Sequence, residues 1–133
     1  MIGSGIAGLS FALKAAAHGK VLLISKTTLG ENNTRYAQGG IAAVTYPPDS
    51  FDKHIMDTLE CGDGFCNREV VEMVIREAPD RIRELVDMGV QFDRKENGYF
   101  DLAREGGHSE HRILHYKDAT GESIEEALLQ KAR

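Results

Sequence analysis

The stretch Gly3-Ser4-Gly5-Ile6-Ala7-Gly8, running into Leu9, Ala12, Leu13, Ala16 and Ala17 and then Val21-Leu22-Leu23-Ile24, decides the fold. The spacing of its first three glycines is that of a dinucleotide-binding turn. The first permits a tight turn, the second lets a pyrophosphate approach the backbone, and the third lets helix and strand pack closely. The apolar residues after Gly8 fall at helical spacing, so a helix is expected to start in the loop and end near His18, with Gly19 as its C′ residue. Val21 to Ile24 reads as a short, fully buried strand of a parallel sheet. Before the first glycine only Met1 and Ile2 remain of the strand, about five residues long, that normally feeds such a turn. The natural reading frame is therefore expected to begin upstream.

Outward from this unit, the end of the second strand should carry an acid for the ribose hydroxyls, but the chain has Ser25-Lys26. A serine can still hydrogen-bond a ribose, yet the missing acid weakens an ordinary NAD dehydrogenase reading. Residues 27 to 48 form a polar loop with an apolar centre from Gly39 to Val44, closed by Pro47-Pro48, and so long an ordered loop usually serves a ligand. Helical patterns follow over Asp49 to Glu60, capped by Asp49 or Ser50, over 67 to 78, and from Pro79 to a stop at Gly89. Together they make a helical layer. Val90 to Asp93 and Tyr99 to Leu102 read as strands joined by Glu96-Asn97-Gly98. The polar segment Arg104 to His115 holds three of the five histidines and the pair Gly106-Gly107. Thr120 or Ser123 is expected to cap a last helix running to Arg133, which carries no stop signal, so the chain is expected to be cut at both ends.

A chain of 133 residues fits one ordinary domain. Its net charge of -5 argues against nucleic acid, which requires a clustered basic face. No stretch approaches the ~20 apolar residues of a membrane helix, and no leader precedes the glycine turn, so a cytoplasmic protein is expected. Cys61 and Cys66 match neither a redox Cys-x-x-Cys nor a zinc pair; free thiols and no metal are expected.

With Thr34-Arg35-Tyr36-Ala37-Gln38-Gly39-Gly40-Ile41-Ala42-Ala43 in view, the chain resembles the succinate dehydrogenase and fumarate reductase flavoprotein superfamily, and within it the L-aspartate oxidase branch. The resemblance also rests on the glycine loop, Ser25-Lys26, Asp57-Thr58-Leu59, Arg104-Glu105-Gly106-Gly107-His108-Ser109 and Asp118-Ala119-Thr120-Gly121. It implies an α/β fold: a Rossmann-like FAD-binding domain fragment with parallel strands, a helical layer and the start of a capping domain. Residues 1–133 would be a partial FAD-binding domain with its first strand truncated and its capping and carboxy-terminal domains absent. FAD would contact Gly3, Ser4, Gly5, Ile6, Ala7, Gly8, Ser25 and Lys26, with Asn33, Thr34, Arg35, Tyr36, Ala37, Gln38, Gly39 and Gly40 along the flavin. Superfamily members that oxidise succinate carry a flavin-bonded histidine where this chain has Asn33, so the FAD is expected to be non-covalent.

The same resemblance implies that Glu105, at a position usually apolar in the dicarboxylate enzymes, accepts a hydrogen bond from the ammonium of L-aspartate. His108, Ser109 and Thr120 would contact a substrate carboxylate, whereas His111 and His115 read as surface imidazoles. The implied reaction takes L-aspartate to iminoaspartate with O2 or fumarate as acceptor, in de novo NAD biosynthesis, with quinolinate synthase as a candidate partner. Catalytic residues are expected beyond Arg133, and the fragment alone is expected to be inactive, with exposed apolar sheet edges that favour self-association. The alternatives are a succinate dehydrogenase or fumarate reductase flavoprotein subunit and an inert nucleotide-binding fragment.

Overall fold

The computed structural model describes residues 1–133 as two units. The first comprises Met1–Gly40, Leu85–Gln91 and Tyr116–Arg133; the second comprises Ile41–Glu84 and Phe92–His115.

In the first unit, helix α1 (Ile6–Ala16) packs on helix α4 (Thr120–Ala132) through the fully buried Leu9 and Leu128, with Ile124 beside them. Met1 to Gly3 runs parallel to the segment ending at Ile24: Gly3 N–H donates to Ile24 O and Ile24 N–H to Met1 O, both at 2.9 Å. This is the parallel crossover expected from the glycine turn, with α1 as its connection. The expected burial of Val21 to Ile24 is not found. Val21 and Leu23 join α1 and α4 in lining an apolar hollow, but Leu22 and Ile24 are 72% and 52% exposed. A parallel strand is buried only when helices cover both of its faces, and here the alternation turns Leu22 and Ile24 away from α1. Gly19 is not the left-handed C′ residue predicted; α1 closes earlier, at Ala17. Neither Thr120 nor Ser123 caps α4, whose N-cap is Ala119 with no side-chain bond. The Thr120 hydroxyl instead accepts from Tyr116 N–H, and Ser123 donates to Gln91 O.

In the second unit, helix α2 (Phe51–Cys61) starts at Ser50, whose hydroxyl accepts from Lys53 N–H, leaving the Asp49 carboxylate for other partners. Residues 67–78 and those after Pro79 were expected as two helices; they form one, α3 (Arg68–Asp87), with Pro79 inside it. Proline removes one intrahelical bond, but Ile75 and Ile82, two turns apart, are both buried on one stripe and hold the helix across the gap. Strands β1 (Ile41–Ala42), β2 (Leu102–Ala103) and β3 (Ile113–Leu114) form a small antiparallel sheet in the order β1-β3-β2. The expected turn forms around Gly98, with Lys95 N–H to Tyr99 O and Asp101 N–H to Asp93 O, both at 2.9 Å, and Phe100 edge-on to Phe92. Its arms pair only as a single bridge between Arg94 and Phe100, and Val90 to Asp93 is not a strand. No helix of the protein is long and apolar enough to cross a membrane.

The stop predicted at Gly89 is present as a Schellman motif. Gly89 has φ +103; its N–H donates to Val86 O at 2.9 Å and Val90 N–H to Leu85 O at 3.0 Å, while Leu85 and Val90 are both buried. Gly89→Ala forces a side chain into that conformation and should lower unfolding stability by about 1 kcal/mol, read as a lower urea midpoint at unchanged slope.

Candidate functional site

A cleft of about 500 Å3 in the first unit brings together three segments separated in sequence: Ile2 to Gly5, Ser25 to Thr27, and Glu31 to Thr34 with Tyr36. Its floor is the start of α1, where the N-cap is Gly5 and no side chain caps the helix. The Ile6 N–H donates to Thr34 Oγ1 at 3.0 Å, while Ala7 and Gly8, as first-turn residues, have no intrahelical acceptor for theirs. These amides and the positive end of the helix favour an anion. Each glycine has a definite cause. Gly3 has φ +102, a Cβ on Gly5 would stand 3.1 Å from Thr34 Oγ1, and one on Gly8 would fall 1.9 Å from Gly3 O. The glycines thus let the loop turn tightly and lie close against the start of α1 and Thr34.

Ser4 is buried and its hydroxyl bonds Ser25 at 3.2 Å, so the serine pair ties the glycine loop to the end of the second strand; Lys26 lies exposed in the cleft lining. Asn33, Thr34 and Tyr36 line the cleft, whereas Arg35 ion-pairs with Glu122 and lies 3.4 Å from Glu126 on α4. The Tyr36 hydroxyl donates to Glu31, and that bond holds its proton above the usual phenol range. Ala37 O accepts from Gly121 N–H at 2.9 Å. Gln38, Gly39 and Gly40 continue the loop without lining the cleft.

Sequence reasoning missed the residue that joins these parts. Asn32 donates to Ser4 O at 3.2 Å and to Glu125 Oε1 at 2.7 Å, and its Oδ1 accepts from Thr34 N–H at 2.9 Å and Arg35 N–H at 3.3 Å. The local half is an Asx turn, which Asn32 two residues before Thr34 could have signalled. The half to Glu125, 93 residues away and fully buried, has no local signature.

In the second unit, Glu105-Gly106-Gly107-His108 is a tight turn: His108 N–H donates to Glu105 O at 3.3 Å and Gly107 takes φ +83. The turn sets Glu105 and His108 at its two ends. Ser109 donates its N–H and its hydroxyl to Asp57 Oδ2, each at 2.8 Å. Arg112 is fully buried and pairs with Asp49 through Nε at 2.9 Å and Nη2 at 2.7 Å, and with Asp57 through Nη1. Its Nη1 also lies 3.1 Å from His108 Nδ1. Burial alone would raise the Asp57 pKa, but Ser109 N–H, the Arg112 guanidinium and the Ser109 hydroxyl outweigh it and bring it down to about 2. His54, packed 5.7 Å from the His108 ring, is pushed down to about 4 by burial and then by the Arg112 charge. Thr120, the fourth expected substrate contact, belongs to the first unit and is buried there. His111 is exposed against Leu102 O, and half-buried His115 sits 3.2 Å from Asp93. Cys61 and Cys66 are free thiols.

A glycine-turn crossover whose amides open into a cleft built from Ser25-Lys26 and the Asn33 loop defines a flavin-nucleotide domain. The chain belongs to the FAD binding domain family (FAD_binding_2), whose model matches residues 1–133, and its cofactor is FAD. It is 53% identical over 130 residues to L-aspartate oxidase 2-b, chloroplastic, of Nicotiana tabacum, covering 98% of this chain and 20% of that protein. It is 50% identical to L-aspartate oxidase of Yersinia pestis, over 99% of this chain and 26% of that one. The solved quinol fumarate reductase of E. coli superposes with TM-score 0.91 at 33% identity, covering 98% of this chain and 23% of that chain. The chain therefore spans about a quarter or less of the relatives it matches.

A Cβ on Gly121 would fall 1.8 Å from Thr34 O and 2.8 Å from Ala37 O, so Gly121→Ala must push α4 away from the cleft loop. FAD affinity should fall about tenfold or more in a fluorescence titration, whereas Gly19→Ala, with nothing within 4 Å, should leave it unchanged. A second prediction concerns pH. Between about 6.5 and 4 the unfolded chain takes up a proton that folded His54 refuses, so stability falls as pH drops through that window; from about 4 towards 2 the Asp57 contribution is lost in turn. His54→Leu should flatten the upper limb of the stability profile and leave the lower one.

Proposed function

We propose that this chain is the FAD-binding portion of a longer enzyme that oxidises L-aspartate to iminoaspartate, with O2 or fumarate as final acceptor, for NAD biosynthesis. The observation that carries the reading is the 53% identity, over 98% of the chain, to a protein named L-aspartate oxidase. Because the chain spans 20% of that protein, we read residues 1–133 as a partial FAD-binding domain. Capping and carboxy-terminal domains, and the catalytic acid and base, then belong to other parts of the enzyme, and the 133 residues alone are inactive.

When bound, FAD would supply the two-electron redox chemistry that oxidation of an amino acid requires. The chain's own residues bind and orient. The amides of Gly5, Ala7 and Gly8 hold the phosphates, Ser25 and Lys26 meet the ribose and phosphates, and residues 33 to 40 run along the flavin. Asn33 offers no imidazole nitrogen for a covalent bond, which supports a non-covalent flavin.

Glu105 and His108 divide substrate recognition across one turn. The Glu105 carboxylate can only accept, which suits the ammonium of aspartate, and the His108 ring can donate to a carboxylate. Ser109, whose hydroxyl hydrogen goes to Asp57, and Thr120, buried in the first unit, are the further candidates for contact with a substrate carboxylate. Succinate lacks the ammonium and leaves the Glu105 charge without a partner, which supports selection of the amino acid.

The test uses the complete reading frame containing this chain. After acid denaturation, FAD should be released into the supernatant, and the native enzyme should form peroxide from L-aspartate and none from succinate. Glu105→Gln should lower kcat/KM for aspartate about 10- to 100-fold, the loss of one charge-assisted hydrogen bond. Flavin retained by the precipitate, or turnover of succinate alone, would assign the protein to the succinate dehydrogenase and fumarate reductase branch.

A further inference from the structure

We propose that Arg112, locked between Asp49 and Asp57, is a positioning residue that holds His108 as its Nε2–H tautomer, so that the ring donates a hydrogen bond to a carboxylate of the substrate. The proposal rests on the reading of His108 as a substrate contact and adds what prepares it for that role.

A guanidinium carries five donors and no acceptor. The approach of Arg112 Nη1 to His108 Nδ1 at 3.1 Å is therefore a bond only if Nδ1 accepts, and an accepting Nδ1 leaves the ring proton on Nε2. A tautomer can be imposed this way only by an arginine that cannot move. Arg112 is 0% exposed, is forked onto both oxygens of Asp49 at 2.7 and 2.9 Å, and shares Nη1 with Asp57. Asp57 is in turn fixed by the Ser109 N–H and hydroxyl at 2.8 Å. Three segments thus converge on one cation: Asp49 before the α2 cap, Asp57 in the middle of α2, and the turn that ends at His108.

His108 differs from its neighbour His54. His54 is only 6% exposed and its Nδ1 has no partner, whereas His108 is half-buried, bonded at Nδ1, and free at Nε2. A carboxylate can only accept, so an Nε2–H ring binds it without first taking up a proton. The Nδ1–H tautomer would set two donors against each other at Arg112 and offer the substrate only a lone pair. The substrate group is thus a carboxylate or another oxyanion.

The deciding measurement is the nitrogen spectrum of the histidine rings, recorded on 15N-histidine-labelled holoenzyme from the complete reading frame without substrate, with His108 assigned by its loss in His108→Gln. We expect a protonated Nε2 and an unprotonated Nδ1, and in Arg112→Lys a mixture of tautomers together with a KM for L-aspartate raised about tenfold and kcat within about twofold. His108→Gln places an amide nitrogen near the ε position and His108→Asn near the δ position, so KM should be about tenfold higher in the Asn variant than in the Gln variant. An Nδ1–H signal in the unaltered enzyme, an unchanged tautomer in Arg112→Lys, or equal KM values for the two amide variants would overturn the proposal. Should Arg112→Lys fail to fold, the tautomer of the unaltered enzyme and the Gln/Asn pair still decide it. Should the holoenzyme leave aspartate untouched, the functional reading fails, and the substrate-free spectra still decide what Arg112 does to His108.

Discussion

The cofactor-binding unit depends on two places where backbone meets backbone with no room for a side chain. At Gly8 the first turn of α1 rests on the carbonyl of Gly3, and at Gly121 the first turn of α4 rests on the carbonyls of Thr34 and Ala37. Both contacts bring a helix start against a loop of the cleft, and Asn32 fills the remaining space by bonding Ser4, Thr34, Arg35 and Glu125 at once. The cleft is thus held by main-chain groups meeting short polar side chains: Ser4 O, Thr34 N–H and Arg35 N–H all bond Asn32, and Ile6 N–H bonds the Thr34 hydroxyl.

The second unit is organised differently, around a charge. A buried arginine is costly unless its donors are satisfied, and Arg112 satisfies them with two carboxylates and a ring nitrogen. The arrangement leaves little freedom: removing one carboxylate strands the guanidinium, and removing the guanidinium leaves two acids facing each other. Such a cluster adds less to stability than an apolar core of the same volume, but it specifies one geometry for the turn that carries Glu105 and His108.

Much of this was legible in the sequence because the signals were local. The glycine spacing led to the crossover and the start of α1, Ser50 to the start of α2, Gly89 to the end of α3, and Gly98 to the hairpin turn. What escaped was decided by distant partners. Pro79 reads as a helix start, yet Ile75 and Ile82 share one buried stripe and carry the helix through it. Val21 to Ile24 reads as a buried strand because its composition is apolar on both faces, but composition does not say what covers Leu22. Asp49 reads as a cap, and only the fold shows Arg112, 63 residues later, claiming its carboxylate. The links from Asn32 to Glu125 and from Asp57 to Arg112 likewise join residues 93 and 55 apart, for which no periodicity exists.

The bond from Ile6 N–H to the Thr34 hydroxyl has a consequence for how the cleft behaves over time. It joins the glycine-loop wall of the cleft to the Thr34 wall, and Asn32 ties the same two walls through Ser4 O and Thr34 N–H. A bound nucleotide gripping either wall stiffens the other, so occupancy and order rise together and each occupied site resists unfolding by mass action. The cleft behaves as a latch with two keepers, each of which holds the other in place.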